Sequence, residues 1–335
     1  MTDTQLKPAE EQINRLKPDP VDGLPSLDDE GVANYIKTNH CKNIVFIIGA
    51  GISCAAGIPD FRTPGTGLYY NLQKFNLPRP ESIFTLSYFK ENPKPFFELS
   101  KEMLPGKYKP TYAHYLPVIL HRHNLLLRVY TQNIDGLERI AGLPTDKVIE
   151  CHGNYYSAHC MKCNAQYELN EIRSEILKGD IPICPKCKEG VIKPDIVLFG
   201  EELPEKFYQN IQNDFNQCDL LILIGTSLKV APVNILPSIP QPDVPRLMIN
   251  REMVQTYQEN LIILKSQDGK EELKEILPKM PEDDFYFKFG HALNRRDVFM
   301  GGDCQKSVQK LIDLLGWKDE YDSIVPEDAL NKLND

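Results

Sequence analysis

The sequence predicts an α/β protein: a doubly wound, Rossmann-like parallel sheet with a smaller zinc-binding and helical module. Three observations carry that prediction. Four short apolar runs, Ile44–Ile48, Leu125–Tyr130, Leu220–Ile224 and Arg246–Ile249, are each followed by small or polar residues. Their near-continuous apolarity, without alternation, suits parallel strands covered on both faces. Between the second and third runs lie two Cys-x-x-Cys pairs at metal-ligand spacing.

The elements follow in order along the chain. Residues 1–25 mix Pro, Lys, Glu and Asp with few large apolar groups, and are expected to form a flexible tail. Order is expected from Ser26, where Ser26-Leu-Asp-Asp29 resembles a capping box and Val32, Tyr35 and Ile36 follow at helical spacing. That helix leads into the first strand. Residues 63–110, rich in Pro and aromatics, and residues 153–192, which hold the cysteine pairs, interrupt the strand rhythm and read as a helical insertion and a zinc module. Val308, Leu311, Ile312 and Leu315 form a helical stripe stopped by Gly316. The catalytic domain is expected over 26–318, with an acidic tail at 319–335. In a doubly wound sheet, ligands bind at the carboxyl ends of the strands.

At 335 residues and 41% hydrophobic, the chain can bury a sizeable core. Its formal charge of −9 argues against general electrostatic binding to nucleic acid and mildly favours basic partners such as lysine-rich peptides. No apolar run approaches the roughly 18 residues of a membrane span, and the start has no signal-like apolar region. The expectation is a protein inside the cell, without a membrane anchor. Nine cysteines without a secretion signal disfavour a disulfide framework.

Cys160-x-x-Cys163 and Cys184-x-x-Cys187 are twenty residues apart, at the upper edge of the spacing for a four-thiolate zinc site. Four thiolates close the tetrahedron and leave no position for water, so the zinc is expected to be structural. His159, beside Cys160, is a rival ligand. Cys41, Cys54, Cys151, Cys218 and Cys304 lack pair spacing.

The loops after the strands carry the chemistry. Gly49-Ala-Gly51 lets the backbone approach a phosphate, and Gly57 ends the small-residue turn. The dehydrogenase fingerprint would place its third glycine where Cys54 stands, and its acidic ribose ligand about twenty residues on, where none occurs. Instead Pro59-Asp-Phe-Arg62 offers a carboxylate, an aromatic face and a cation within one turn. Thr131-Gln-Asn-Ile-Asp135 and Gly225-Thr-Ser227, at further strand ends, are dense in groups that can bond sugar hydroxyls. His152 has the near-neutral pKa a general base needs.

Taken together, Gly49-Ala-Gly-Ile-Ser53, Gly57-Ile-Pro-Asp-Phe-Arg62, Thr131-Gln-Asn-Ile-Asp135, His152-Gly153, the cysteine pairs, Lys193-Pro-Asp-Ile-Val197, Phe199-Gly-Glu201 and Gly225-Thr-Ser227 closely resemble the sirtuins, most of all the cytoplasmic sirtuin-2 subgroup. The resemblance runs from about Leu27 to Trp317. It implies an NAD-dependent protein-lysine deacetylase that consumes NAD as a co-substrate, releases nicotinamide and leaves the acyl group on ADP-ribose. By resemblance, His152 takes a proton from a ribose hydroxyl to advance an alkylimidate intermediate. Asn133 and Asp135 line the nicotinamide pocket with Ile58 and Asp60, and Gln132 holds the ribose. Phe61 shields the reactive carbon, while Arg62 and the Ala50–Ser53 turn serve the phosphate and ribose side. Thr226, Ser227, Asn250 and Cys304 fall around the adenosine half. The same match places Gly51, Ile52, Cys54, Ile134, Gly225, Arg251 and Glu252 at the dinucleotide.

The resemblance also implies that a substrate peptide adds as a strand between Val197-Leu-Phe-Gly-Glu201, with Val197, Phe199, Gly200 and Glu201 as contacts, and the loop after Ser227. Residues 63–73 contain no Arg or Lys to pair with a carboxylated acyl chain, so neutral acyl groups are expected. Partners implied are acyl-lysine proteins, such as histone tails and tubulin-like proteins, with no direct nucleic acid. The implied location is cytoplasmic, extending to the nucleus. Two departures stand out: Gly136 replaces the subgroup's usual Thr, a change expected to be silent, and Ala231-Pro-Val-Asn234 replaces a loop expected to carry an aromatic residue. Mono-ADP-ribosyl transfer, a zinc-stabilised metabolite sensor without chemistry, and a dehydrogenase are the alternatives.

Overall fold

A computed structural model describes residues 17–38, 40–61, 63, 65–256, 260–265, 271–276 and 286–334. Along the chain run strands β1 (Ile44–Ile48), β2 (Leu126–Thr131), β3 (Val148–Glu150), β4 (Gly153–Cys160), β5 (Gln166–Glu168), β6 (Ile192–Ile196), β7 (Leu220–Ile224), β8 (Arg246–Asn250), β9 (Asn260–Lys265), β10 (Glu271–Ile276) and β11 (Asp297–Gly301). Six of them make one sheet in the order β11-β8-β7-β1-β2-β3, and every pairing within it is parallel. The chain adds β2 and β3 on one side of β1, then returns to add β7, β8 and β11 on the other. The switch point therefore lies between β1 and β7.

All five residues of β1 are fully buried, and alternation sends them to two cores. Ile44, Phe46 and Ile48 face the helices Asp29–Lys37 and Cys304–Leu315, whereas Val45 and Ile47 face Phe207 and Phe215 of the helix Glu205–Gln217. This double covering is why the strand reads as an unbroken apolar run. Val308, Leu311, Ile312 and Leu315 are buried on one side of the closing helix, each contributing about 1.5–3 kcal/mol. Gly316, at φ 75°, ends it in the left-handed conformation that glycine tolerates best.

A third core is built from both insertions at once. Phe89, Phe96 and Phe97 of the helical insertion pack with Tyr155, Ile172 and Ile176 of the cysteine-bearing segment. That segment forms an antiparallel sheet, β5-β4-β6. Neither insertion is a core by itself; together they make one.

The structure corrects three expectations at the chain ends. The first helix is capped by Asp28, whose side chain accepts from the Gly31 N–H at 2.8 Å, and Ser26 merely donates to that carboxylate. Residues 1–16 of the expected tail lie outside the described residues, but Val21 and Leu24 are buried in the main core, held by a bond from the Val21 N–H to the Arg295 carbonyl. The expected acidic tail instead forms the helices Lys318–Ile324 and Glu327–Asn334, with Tyr321, Val325 and Ala329 buried. Among the described residues, no helix is long and apolar enough to cross a membrane.

Candidate functional site

At the switch point a cleft of about 620 Å³ opens over the carboxyl ends of β1 and β7. Its floor is two glycine turns pressed together. The Gly51 N–H donates to the Gly225 carbonyl at 2.8 Å, and a Cβ on Gly49 would come within 2.7 Å of that same oxygen. A Cβ on Gly225, at φ 63°, would meet the Ile52 nitrogen at 2.4 Å. The glycines thus serve backbone-on-backbone contact first, and together with Ala50, Cys54 and Thr226 they form the face left open to the cleft. Gly225→Ala is expected to destabilise the fold by about 1–3 kcal/mol and to weaken dinucleotide binding together with it. Parent-like melting temperature and NAD affinity would contradict the close-contact reading.

His152 sits where the main sheet hands over to the small one, between β3 and β4. The hinge demands glycine next: Gly153 has φ 74°, and a Cβ there would overlap the Asp195 carbonyl at 1.8 Å. The His152 Nδ1 lies 2.8 Å from the Gln132 carbonyl. A carbonyl can only accept, so Nδ1 carries the proton and Nε2 keeps its lone pair. Nε2 is buried without a hydrogen-bond partner among the described residues, and the residue lines the cleft. Burial lowers the imidazole pKa below its ordinary value.

Beside it, the turn after β2 is held by a buried polar network. Asn133 donates through Nδ2 to the Gly49 carbonyl at 3.2 Å and to Ser53 Oγ at 3.3 Å, and Ser53 Oγ donates to Asp135 Oδ2 at 2.8 Å. Thr131 Oγ1 accepts from the Asn133 N–H at 3.1 Å and donates to Glu138 at 2.6 Å. Burial raises the pKa of both Asp135 and Glu138, and the charge of Asp135 raises Glu138 further. His114 closes the network from behind: its Nδ1 accepts from the Thr111 N–H at 3.0 Å, and its Nε2 lies 3.4 Å from Ser53 Oγ. Burial pushes His114 down to about 3, so it stays neutral.

Sequence reasoning missed His114, Thr111, Glu138 and Gln305, which bonds both the Ala113 N–H and the Ile52 carbonyl. Of these only Glu138 had a local signal, one helical turn after Asp135.

The predicted dinucleotide residues divide between two adjoining cavities. Cys54, Asp60, Gln132, Gly225, Thr226, Ser227, Asn250, Arg251, Glu252 and Cys304 line the main cleft. Ser53, Ile58 and Asp135 line a second cavity of about 230 Å³, and Ala50, Phe61, Asn133 and Ile134 face both. The Phe61 ring meets Tyr69 at a tilt and Phe84 edge-on, with centroids 5.8 and 5.9 Å away. Gln132 Nε2 spans the floor to Thr226 Oγ1 at 2.8 Å. Ile52 is a correction: its side chain is fully buried in the core and lines neither cavity. Arg62 lies outside the described residues. At Gly136, φ 71°, a Cβ would meet the Tyr156 hydroxyl oxygen at 2.7 Å, so the glycine is fitted to Tyr156.

Opposite the loop after Ser227, the segment Val197 to Glu201 forms a ledge along the cleft. Part of its backbone is already engaged. The Val197 N–H donates to the His152 carbonyl at 2.8 Å, while Phe199 bonds Phe84 and Leu86 through its N–H and its carbonyl. The ring of Phe199 is 46% exposed, so it can still be reached by a partner.

The four paired cysteines converge: their Sγ atoms all lie within 4.8 Å of one another. The cross-pair distances Cys160–Cys187 and Cys163–Cys184 are 3.6 Å. Zn–S bonds of about 2.3 Å give a tetrahedral edge of roughly 3.8 Å, so the set fits zinc. The two knuckles repeat one geometry. In each, the residue after the second cysteine (Asn164, Lys188) is left-handed and donates back to the carbonyl of the first (Cys160, Cys184) at 2.9 and 2.8 Å. His159 stands outside that cluster, and its Nδ1 lies 2.7 Å from Asp195 Oδ1.

The Sir2 family profile matches residues 49–232, more than half of the chain. NAD-dependent deacetylase sir2A of Dictyostelium discoideum is 46% identical over 299 residues, covering 88% of this chain and 53% of that protein. NAD-dependent protein deacetylase sirtuin-2 of Danio rerio is 43% identical over 310 residues, covering 90% of this chain and 76% of that one. The mouse NAD-dependent protein deacetylase sirtuin-3 is 43% identical over 295 residues, with 88% and 78% covered. The chain thus spans about half the length of the Dictyostelium relative and about three quarters of the two vertebrate ones.

Proposed function

Because this chain belongs to the Sir2 family, we propose that it is an NAD-dependent protein-lysine deacetylase, with His152 as general base and a structural zinc in the small module. The relatives named above are NAD-dependent deacetylases. The observation that carries the reading to this chain is the orphaned Nε2 of His152, a residue that lines a cleft of dinucleotide size beside the Asn133–Asp135 turn.

NAD supplies the bond whose cleavage releases nicotinamide, and the ADP-ribose that receives the acyl group. The chain's own residues bind, orient and move a proton. Asn133 and Asp135, locked by Ser53, face the nicotinamide end. Phe61 shields that end from water, and Thr226, Asn250, Arg251 and Glu252 hold the adenosine half. His152 Nε2 withdraws a proton from a ribose hydroxyl, and its Nδ1–H shares the resulting charge with the Gln132 carbonyl. The acyl-lysine peptide lies between the ledge and the loop after Ser227, with neutral acyl chains, acetyl first. Histone tails and tubulin-like acetylated proteins are the substrate class, in the cytoplasm and nucleus.

The base works only when neutral, and burial lowers its pKa, so it stays competent at pH values where an ordinary histidine would be protonated. The acid limb of kcat/KM is therefore expected below about 6.5, the ordinary histidine value. A limb at or above that value, measured in the NAD-saturated enzyme, would remove His152 from this role. The function itself is tested with a panel of acyl-lysine peptides: nicotinamide is expected to appear only when acyl-lysine is present. An intact, zinc-loaded protein that binds NAD yet releases none with any peptide would overturn the reading.

A further inference from the structure

Lys193 carries one of the few charges buried in this chain, at 7% exposure, and it lies outside both cavities. An ammonium in such a place costs several kcal/mol of hydration unless it is hydrogen-bonded and its charge is paired. Here it donates to the Pro194 carbonyl at 3.1 Å and the Ile196 carbonyl at 2.7 Å, and its charge is paired with the Glu201 carboxylate at 3.1 Å. The same Glu201 oxygen accepts from the Leu198 N–H at 2.8 Å, and the Glu201 N–H returns to the Leu198 carbonyl at 2.9 Å. The result is a closed clasp. It starts on β6, crosses the base of the ledge and grips the turn at Gly200, whose φ of 99° is left-handed.

The clasp is also tied to the base. Ile196 pairs with Gly153, and the Val197 N–H bonds the His152 carbonyl. One lysine thus links the segment that would hold the peptide to the hinge that carries His152.

We propose that the pair formed by buried Lys193 and half-buried Glu201 is a positioning device for the acyl-peptide: it fixes the ledge from Val197 to Glu201 in a peptide-accepting shape without touching the substrate's reacting atoms. The proposal rests on the deacetylase reading and adds to it Lys193, together with a second role for Glu201, which already lines the cleft. A buried ion pair contributes little net stability, since replacing both members by neutral groups is often tolerated, whereas removing one strands the other. Shape, more than stability, is what the pair supplies here.

The test follows from that asymmetry. Lys193→Met should lower the melting temperature and raise the peptide KM. In the double variant Lys193→Met with Glu201→Gln, the melting temperature should recover most of the loss, while the peptide KM stays raised about tenfold, the size expected for one lost docking bond. NAD affinity, measured by titration calorimetry without peptide, should stay at the parent's value in both. Recovery of stability together with a parent-like peptide KM would overturn the proposal, because the pair would then be structural only. A matched loss of NAD affinity and peptide binding would overturn it too, as general disruption of the cleft. Failure of the underlying reading is separable: there the unaltered parent would release no nicotinamide with acyl-peptide.

Discussion

Replacing His152 by alanine is expected to reduce turnover by about 10²–10⁴-fold while NAD affinity stays at the parent's value. The two halves of that result come from separate features of the structure. The side of the cleft proposed for the adenosine half is built on β7, β8 and the Cys304 helix, none of which depends on the imidazole. The proton acceptor does depend on it: His152 Nε2 is buried, partnerless and held in one tautomer by the Gln132 carbonyl. His152→Ala removes the acceptor and leaves the floor. His152→Gln fills most of the volume without providing a base of useful pKa, so its turnover should fall to the same level. Single-turnover release of nicotinamide, read beside calorimetric NAD titration, separates chemistry from binding. Parent-like turnover in either variant would transfer the base to another group.

Removing zinc is expected to abolish activity through the fold. Structural zinc sites supply binding free energies of about 10–16 kcal/mol in small modules, comparable with a domain's whole net stability of about 5–15 kcal/mol. Here the metal's influence extends past the knuckles. Cys160 ends β4, which begins at Gly153 beside His152, and Cys160 and Cys184 are part of the core that also holds Phe89, Phe96 and Phe97 of the helical insertion. Tyr167 contributes its hydroxyl to Cys184 Sγ at 3.1 Å, so the sulfur cluster is wired into the small sheet. Chelation, or Cys187→Ala, should therefore melt the small core, expose the aromatic cluster and end turnover. Loss of near-ultraviolet circular dichroism should parallel loss of zinc counted by elemental analysis. A metal-free protein with full activity and an unchanged melting transition would refute the requirement.

Legibility from sequence followed the locality of the interactions. Ile44–Ile48 and Leu220–Ile224 were readable to the residue because a strand buried on both faces needs no partner information to look apolar throughout. The knuckles were readable because a chelating turn is a local object. His114 was not, since its meaning comes from Ser53, sixty-one positions away, and Gln305 joins Ile52 across 253 positions. Val21 and Leu24 looked like isolated apolar residues among Pro and Asp; their burial depends on Arg295, whose guanidinium also bonds the Asp19 carbonyl. The C-terminal helices were hidden by their charge: each buries little, Tyr321 from the first, Val325 from the turn after it and Ala329 from the second.

The glycines show the same limit from another side. Gly-rich turns after strands suggest a phosphate, but at Gly49, Gly51 and Gly225 the space a side chain would take is filled by the neighbouring turn. What the sequence signals there is a tight floor, and the cleft above it follows as a consequence. Cys54 belongs to that same loop and faces the cleft, with burial raising its thiol pKa, so it stays protonated beside the dinucleotide's place.

The central claim is that the chain transfers an acyl group from lysine to the ADP-ribose of NAD. It is tested most directly by supplying a peptide whose acetyl-lysine carries a carbon-13 acetyl group, together with NAD, and weighing the products by mass spectrometry. The account predicts free lysine peptide, nicotinamide in equal amount, and the label on ADP-ribose. Label remaining on the peptide while ADP-ribose becomes attached to protein would contradict it and point to ADP-ribosyl transfer instead.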